Sequence, residues 1–306
     1  MLKLNSQRNV QYSEYCSTIW CADAAGVARA DAKLSRLHCA MRIPTRNVYV
    51  IDMCAFSADE VLLALGAPGL RTVSLHTAQL VAHEPTAIRY VYGVAFDAHT
   101  DTLLLLVWAT TGDYYQLVSL RRNASEWLEV QRLGTRIRHS SNIDNFAVCD
   151  SRVLLVERRE NTMYVFDVSA KSTLRDAGNV TLQRRFWRLA CTRRNVDTLI
   201  AFSHETSVSL LRLTSQRLRL EPLASLSLTA PRRLLFREDR LLVADWKSAT
   251  NTHAIVSFRA TDNALTERRV LLDAQAGVDV NVLALAGDRL ILFNSRLEEI
   301  LVCDFT

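Results

Sequence analysis

The chain has 306 residues, 49% of them hydrophobic, and a net charge of +5, which allows a sizeable core and excludes wholesale disorder. Its longest unbroken apolar run, LLLLVWA at 103, is too short to cross a bilayer as a helix. The opening MLKLNSQRNVQ lacks the apolar stretch of a signal peptide, so the expectation is an intracellular protein of cytoplasm or nucleus with no membrane partner.

Taken in chain order, the first segments are LNSQRNVQY at 4, STIWCA at 17, GVARA at 26 and LSRLHCA at 34. From there the chain repeats itself. Aliphatic runs begin at Val61, Leu103, Val153, Leu199, Leu241 and Leu290, spaced by 42 to 50 residues, and two positions before them stand Asp59, Asp101, Ser151, Asp197, Asp239 and Asp288. A short acidic or hydroxyl side chain there bonds its own downstream backbone and favours a tight turn between two strands. An apolar segment precedes each turn (VYVIDMCAF, YVYGVAF, NFAVCD, FWRLAC, RLLF, VNVLALA). A third strand follows each run, from TVSL at 72 to ILVCDF at 300, and often a more polar fourth such as WLEVQRL at 127. The runs are too short and too often interrupted to hold a helical stripe.

Three apolar strands and a variable fourth at this period are the signature of propeller blades. The expected fold is a single all-β β-propeller domain over 1–306, with blades beginning near 17, 48, 89, 143, 185, 231 and 279. Seven blades is the preferred count. Six follows if the region from 22 to 40 is instead an amphipathic helix. ILVCDFT ends the chain as the third strand of the last blade, which leaves a sheet edge open. The N-terminal segment 1–16, through residues 4–12, is expected to fill that slot as a clasp strand.

The pattern resembles the WD-repeat family of propellers, best at VLLVERRENTMYVFDVSAKSTL (153–174), where Phe166-Asp167 stands in the place of the family's Trp-Asp pair, and at TLIAFSHETSVSLLRLTSQRL (198–218). The chain has no Trp-Asp or Gly-His dipeptide and nine glycines in all, so the family's His–Asp networks are not carried over. What the resemblance implies is a rigid disc that docks other proteins.

No phosphate-cradling glycine loop, nucleophile elbow or His-Glu-x-x-His pattern occurs, and the chain reads as non-enzymatic, with no cofactor and no small-molecule substrate. Seven cysteines is an odd number, and Cys54, Cys149, Cys191 and Cys303 lie in aliphatic runs, where free thiols pack as small apolar groups. Cys16, Cys21 and His38-Cys39 fit no zinc spacing and are read as core. Asp52, Asp144, Asn145, Asp279 and Asn281 are the oxygen donors that an axial cation would use; metal-free is the preferred reading.

The informative polar feature is positional. In a propeller every link from an outer strand to the next inner strand emerges on one face. Those links carry Arg46, Arg89, Arg136 and Arg138, Arg184 and Arg185, and Arg232 and Arg233. Lysine stands only at 3, 33, 171 and 247, so 33 of 37 basic residues are arginine. Codon bias explains that excess as readily as selection for forked donors does. The densest stretch, RRFWRLACTRR at 184, interleaves Phe186 and Trp187 with the charges. Those aromatics either alternate into the core, the preferred reading, or join the arginines in gripping a ligand. The expectation is an arginine-lined face that binds acidic or phosphorylated segments of other protein subunits, with nucleic acid as the alternative partner and a propeller enzyme with an axial metal site as the third reading.

Overall fold

The computed structural model describes residues 21–22, 28–29 and 37–305, apart from 46–48, 82–85, 110–111, 113, 124–125, 139–145, 195–196, 215–217, 262 and 274–277, and apart from the side chains of residues 21, 22, 28, 29, 38 and 136. Strands β1 (Cys21–Ala22), β2 (Ala28–Arg29) and β3 (Leu37–Pro44) come first. Four-stranded sheets then follow in order. The first holds β4 (Asp52–Ala55), β5 (Glu60–Ala64), β6 (Leu70–Ser74) and β7 (Gln79–Leu80). The second holds β8 (Val91–Asp97), β9 (Thr102–Trp108), β10 (Tyr114–Asn123) and β11 (Glu126–Arg138). The third holds β12 (Phe146–Cys149), β13 (Arg152–Glu157), β14 (Thr162–Val168) and β15 (Leu174–Thr181). The fourth holds β16 (Arg188–Arg194), β17 (Asp197–Ser203), β18 (Ser207–Thr214) and β19 (Arg219–Ser227). The fifth holds β20 (Pro231–Arg237), β21 (Arg240–Lys247), β22 (Thr252–Ala260) and β23 (Leu265–Leu272). The last takes β24 (Val280–Ala286), β25 (Arg289–Asn294) and β26 (Glu299–Phe305), with β3 as its outer strand.

Each first strand touches the first strands of both neighbours, β4 to β8, β8 to β12, β12 to β16, β16 to β20, β20 to β24 and β24 back to β4. The ring therefore closes on six blades. The expectation of seven is corrected at the N-terminus. β1 and β2 pair only with each other, as a two-stranded ladder lying against β3. The segment read as the third strand of a first blade, LSRLHCA, instead runs into β3 and completes the sixth blade.

The clasp exists, at residues 37–44 instead of 4–12; residues 1–16 lie outside the described residues. Its register on β26 runs from Leu37 opposite Phe305 to Pro44 opposite Glu299, with a bulge between the Met41 and Cys39 pairs. Sequence alternation explains the choice: Leu37 and Cys39 are buried toward the fifth blade and, past the bulge, Ile43 is buried toward the first, each face taking apolar residues at every second position. Pro44, at the end of the strand, lacks an N–H and leaves no ladder bond broken there.

The core is a set of layers between adjacent blades. Leu62, Val94 and Leu105 fill the space between the first and second. Leu104, Leu155 and Phe166 lie between the second and third, and Leu154, Phe186 and Phe202 between the third and fourth. Ala201, Val243 and Phe258 join the fourth to the fifth, Leu242, Leu283 and Leu301 the fifth to the sixth, and Ile43, Val61 and Phe293 the sixth to the first. The middle strands are buried on both faces, which is why they read as unbroken aliphatics.

The repeated acidic residue sits in the turn joining the first and second strands. Cys149 pairs with Arg152 across Asp150 and Ser151, whose φ angles are 42° and 66°, the left-handed pair that a two-residue hairpin needs. Gly287 (57°) and Glu238 (52°) open the turns that Asp288 and Asp239 close. These acids also reach neighbouring blades: Asp288 pairs with Arg237 at 3.1 Å, Asp59 with Arg289 at 3.3 Å and Asp150 with Arg193 at 4.0 Å. Asp97 accepts the Ser151 N–H at 3.1 Å. The face carrying these turns (the turn face) is thus tied by ion pairs at the third–fourth, fifth–sixth and sixth–first blade junctions, each exposed pair contributing up to about 1 kcal/mol.

Candidate functional site

The opposite face (the entry face) carries the links from outer to inner strands and the turns between second and third strands. Here the sequence placed its arginines. Arg46 and the Arg136 side chain lie outside the described residues. Arg89 is exposed, and its Nη1 donates to the Pro68 carbonyl at 2.6 Å, bracing the turn between β5 and β6. Arg138 is exposed and holds its guanidinium 6.0 Å from the Tyr114 ring centre. The structure does not gather these two with the rest.

Arg232 meets an aromatic that sequence alternation alone did not resolve, and Arg184 and Arg185 lie in the link that leads to it. The pair Phe186 and Trp187 is split. Phe186 goes into the core, stacked on Phe202 with ring centres 4.2 Å apart and planes at 29°. Trp187, one residue on, turns outward by the two-residue period of an extended chain and is half-buried on the face. Arg158, from the turn between β13 and β14, stands 4.2 Å from the Trp187 ring centre. Arg232 approaches the same ring to 4.9 Å and the Trp246 ring to 5.9 Å. Guanidinium groups held over indole faces gain cation–π attraction while keeping N–H edges in water.

Arg184 and Arg185 flank this patch in the exposed link before β16, and no ion pair holds Arg184, Arg185 or Arg232 among the described residues. The link is fixed from beneath. His204 Nδ1 lies 3.1 Å from the Arg185 carbonyl, which can only accept, so Nδ1 carries the proton and Nε2 accepts from Ser209 Oγ at 2.8 Å. Burial, then the nearby Arg184 charge, holds the His204 imidazolium below its ordinary range, against the stabilising bond to Arg185.

Arg233 turns the other way, into the central channel. Its Nη2 donates to Asn281 Oδ1 at 2.8 Å, and Asn281 Nδ2 donates to the Tyr49 hydroxyl at 2.9 Å. Arg188, absent from the sequence-predicted set, lines the same channel with Asp52. The channel encloses about 510 Å³ and is walled by all six inner strands. Asp52 accepts the N–H groups of Met53 and Val94, each at 3.0 Å, and so ties β4 to β8. Burial raises its carboxyl to about 6, against the pull of those N–H groups and of the Arg233 and Arg188 charges.

The oxygen donors considered for an axial cation are engaged elsewhere. Asp52 is bound to amides and Asn281 to Arg233 and Tyr49, as above. Asp279 accepts from Ser295 Oγ at 2.6 Å and lies 3.3 Å from His253 Nδ1. The His253 contact, ahead of Ser295, holds the Asp279 carboxyl below its ordinary range. Asp144 and Asn145 lie outside the described residues. Among the described residues no three His, Cys, Asp or Glu side chains group as a metal-holding set. Cys39 is buried against Cys303; Cys16 and the side chains of Cys21 and His38 fall outside the described residues.

Sequence reasoning missed Arg158, Trp246 and Lys247 because it counted only the outer-to-inner links. The turns between second and third strands emerge on the same face, and RRE at 158 and DWK at 245 were the signal for it. Lys247 is not a free charge: its Nζ is held by Asp245 and by Thr229 Oγ1. At Phe166-Asp167, Phe166 is buried, while Asp167 pairs with Arg175 at 2.8 Å and Arg152 at 3.5 Å.

No protein-family profile matches the sequence, and no curated protein matches it. Among solved structures the chain is similar to the β-propeller domain of Cps50 (Swd1) from Myceliophteria thermophila, with a TM-score of 0.52 and 11% sequence identity, over 84% of this chain and 83% of that one. The fold is a β-propeller. At that identity the likeness extends to the fold and no further. No helix among the described residues is long and apolar enough to cross a membrane.

Proposed function

We propose that this propeller is a non-catalytic interaction platform of cytoplasm or nucleus, of WD-repeat type, that docks acidic or phosphorylated segments of partner subunits on its entry face. The observation that supports this is the asymmetry between faces. On the turn face, arginines such as Arg237 and Arg289 are matched by the acids of neighbouring blades. On the entry face, Arg158 and Arg232 stand over Trp187, Arg232 reaches Trp246 as well, and Arg184 and Arg185 lie exposed in the link just before Trp187. Guanidinium forks bind carboxylate or phosphate in pairs, and a tryptophan among them supplies the apolar anchor typical of interface hot spots. Ring closure makes the platform rigid, so docking costs little ordering of the receptor.

The same pair of indoles favours a second reading, in which single-stranded nucleic acid stacks its bases there and sets phosphates against the arginines. One experiment separates the two. The wild type and the triple variant Arg184→Glu, Arg185→Glu, Arg232→Glu are titrated with a phosphoserine peptide library, its unphosphorylated counterpart and oligothymidylate. The proposal expects phosphopeptide binding that falls at least about tenfold in the triple variant. Binding of oligothymidylate alone, steep in salt, supports the nucleic-acid reading. Phosphopeptide affinity equal in both proteins overturns the first.

A further inference from the structure

The clasp sets two sulfurs opposite each other. From Ile43 opposite Ile300 to Met41 opposite Val302 the register of β3 on β26 is regular, and carried on unchanged it would place Ala40 opposite Cys303. The bulge makes Ala40 the extra residue and places Cys39 there instead. Re-aiming a side chain is what a bulge does in a strand pair. Cys39 and Cys303 then share one apolar layer, between the fifth and sixth blades, and are 2% and 0% exposed. Residues directly opposite in an antiparallel ladder have Cα atoms about 4.5–5.5 Å apart, within the span of a disulfide.

The two thiols are unlike. Cys39 Sγ donates to the Met41 carbonyl at 3.2 Å, so in the contact between the two sulfurs Cys303 is the donor and Cys39 the acceptor. That contact, against burial and with the help of the Arg42 charge, holds the Cys39 thiol below its ordinary range. Burial, then the same contact, pushes the Cys303 thiol well up. Arg42 stands on the same strand as Cys39, its Nη1 3.9 Å from Glu299 Oε2. A sulfur favoured as thiolate beside a thiol kept protonated is the pairing of an attacking with a resolving cysteine.

We infer that Cys39 and Cys303 are a redox dithiol that a hydroperoxide closes to a disulfide, Cys39 attacking and Cys303 resolving, and that this bond locks the clasp of the ring. With hydrogen peroxide the Cys39 thiolate attacks one oxygen. An S–O bond forms, the O–O bond breaks, and the displaced hydroxide leaves as water with the proton Cys39 gave up. The Cys303 sulfur then attacks the sulfenic sulfur of Cys39. The S–S bond forms, the S–O bond breaks, and the hydroxyl leaves as a second water with the Cys303 proton. Two thiols are oxidised by two electrons and the peroxide is reduced by two. Burial shuts out bulky thiol reagents, which is why the oxidant is a small hydroperoxide. The bond closes a loop of some 260 residues, and the stabilisation from a cross-link grows with the loop it closes. The inference does not depend on the entry-face reading, which uses none of these residues.

The test treats the intact, reduced protein with equimolar hydrogen peroxide, followed by non-reducing peptide mapping and thermal melts. The first disulfide to form should join Cys39 to Cys303, and dithiothreitol should reverse it. Oxidation should raise the melting temperature of the wild type by at least about 5 °C and leave that of Cys303→Ser unchanged. In Cys303→Ser the sulfenic acid has no resolving partner. Denaturing that variant into dimedone should label Cys39, at least about tenfold more than the same treatment labels Cys303 in Cys39→Ser. Mapping and melting of the wild type decide the matter even if a variant fails to fold. A disulfide that forms first between another pair, no disulfide at all, an unchanged melting temperature after Cys39 and Cys303 have joined, or equal dimedone labelling of the two variants overturns the inference.

Discussion

Replacing Ile43 by alanine puts the ring closure under strain at one point. Ile43 is 1% exposed, on the clasp strand β3, and packs in the layer between the sixth and first blades with Val61, Phe293 and Ile300. The change removes three carbons. Their transfer to water amounts to about 2.5 kcal/mol, and the cavity left in a layer of β-branched and aromatic side chains brings the total to about 3–4 kcal/mol. That is a large fraction of the stability of an ordinary domain, and in a chain of this size it should lower the melting temperature by about 5 °C. Val130→Ala is the matched control. It also lies on an outer strand, β11, but is 41% exposed, and it should change stability by less than about 0.5 kcal/mol. Urea unfolding followed by tryptophan fluorescence reads both variants. Equal midpoints for the two would mean that residues 37–44 do not fill the sixth sheet, and the argument for the clasp would fail.

Two further outcomes follow from single residues. Asp52 is raised to about 6 from an ordinary 3.8, so its contribution to stability is fully present below that ordinary value and is lost as pH rises through about 6. Between about pH 5 and about pH 8 wild type should therefore lose about 1 kcal/mol relative to Asp52→Asn, allowing for water in the channel; a difference in unfolding free energy that stays constant with pH would refute this. Gly69, in the turn between β5 and β6, has φ = +88°, and a Cβ there would run into the Ile88 carbonyl oxygen. Gly69→Ala should cost at least about 2 kcal/mol, while Gly134→Ala, with nothing within 4 Å, should be close to neutral in the same thermal melts.

Much of the fold is legible in the sequence because its signals are local. The acidic turn residues, the aliphatic second strands and the period between them all lie within a few residues of what they determine. Blade number is different. Leu37 and Cys39 alternate as any half-buried strand does, and nothing nearby says that their partners are Phe305 and Cys303, some 260 residues away. The candidate site divides in the same manner. The links that carry arginine follow from connectivity, but the direction of each side chain depends on where the inner strand begins. One residue of phase sends Phe186 into the core and Trp187 out of it. The bulge between Pro231 and Arg233 sends Arg232 to the face and Arg233 into the channel, which no pattern of residue types announces.

Cysteine trapping tests the closed ring most directly. Cys39 and Cys303 stand opposite each other across the β3–β26 ladder, the distance at which an antiparallel cross-strand pair can be bridged. Oxidation of the native protein with copper phenanthroline, followed by peptide mapping, should recover the peptide containing Cys39 joined to the one containing Cys303. Recovery of Cys39 linked to a different cysteine, or rapid alkylation of both thiols in the folded protein, would contradict the six-bladed ring and its clasp.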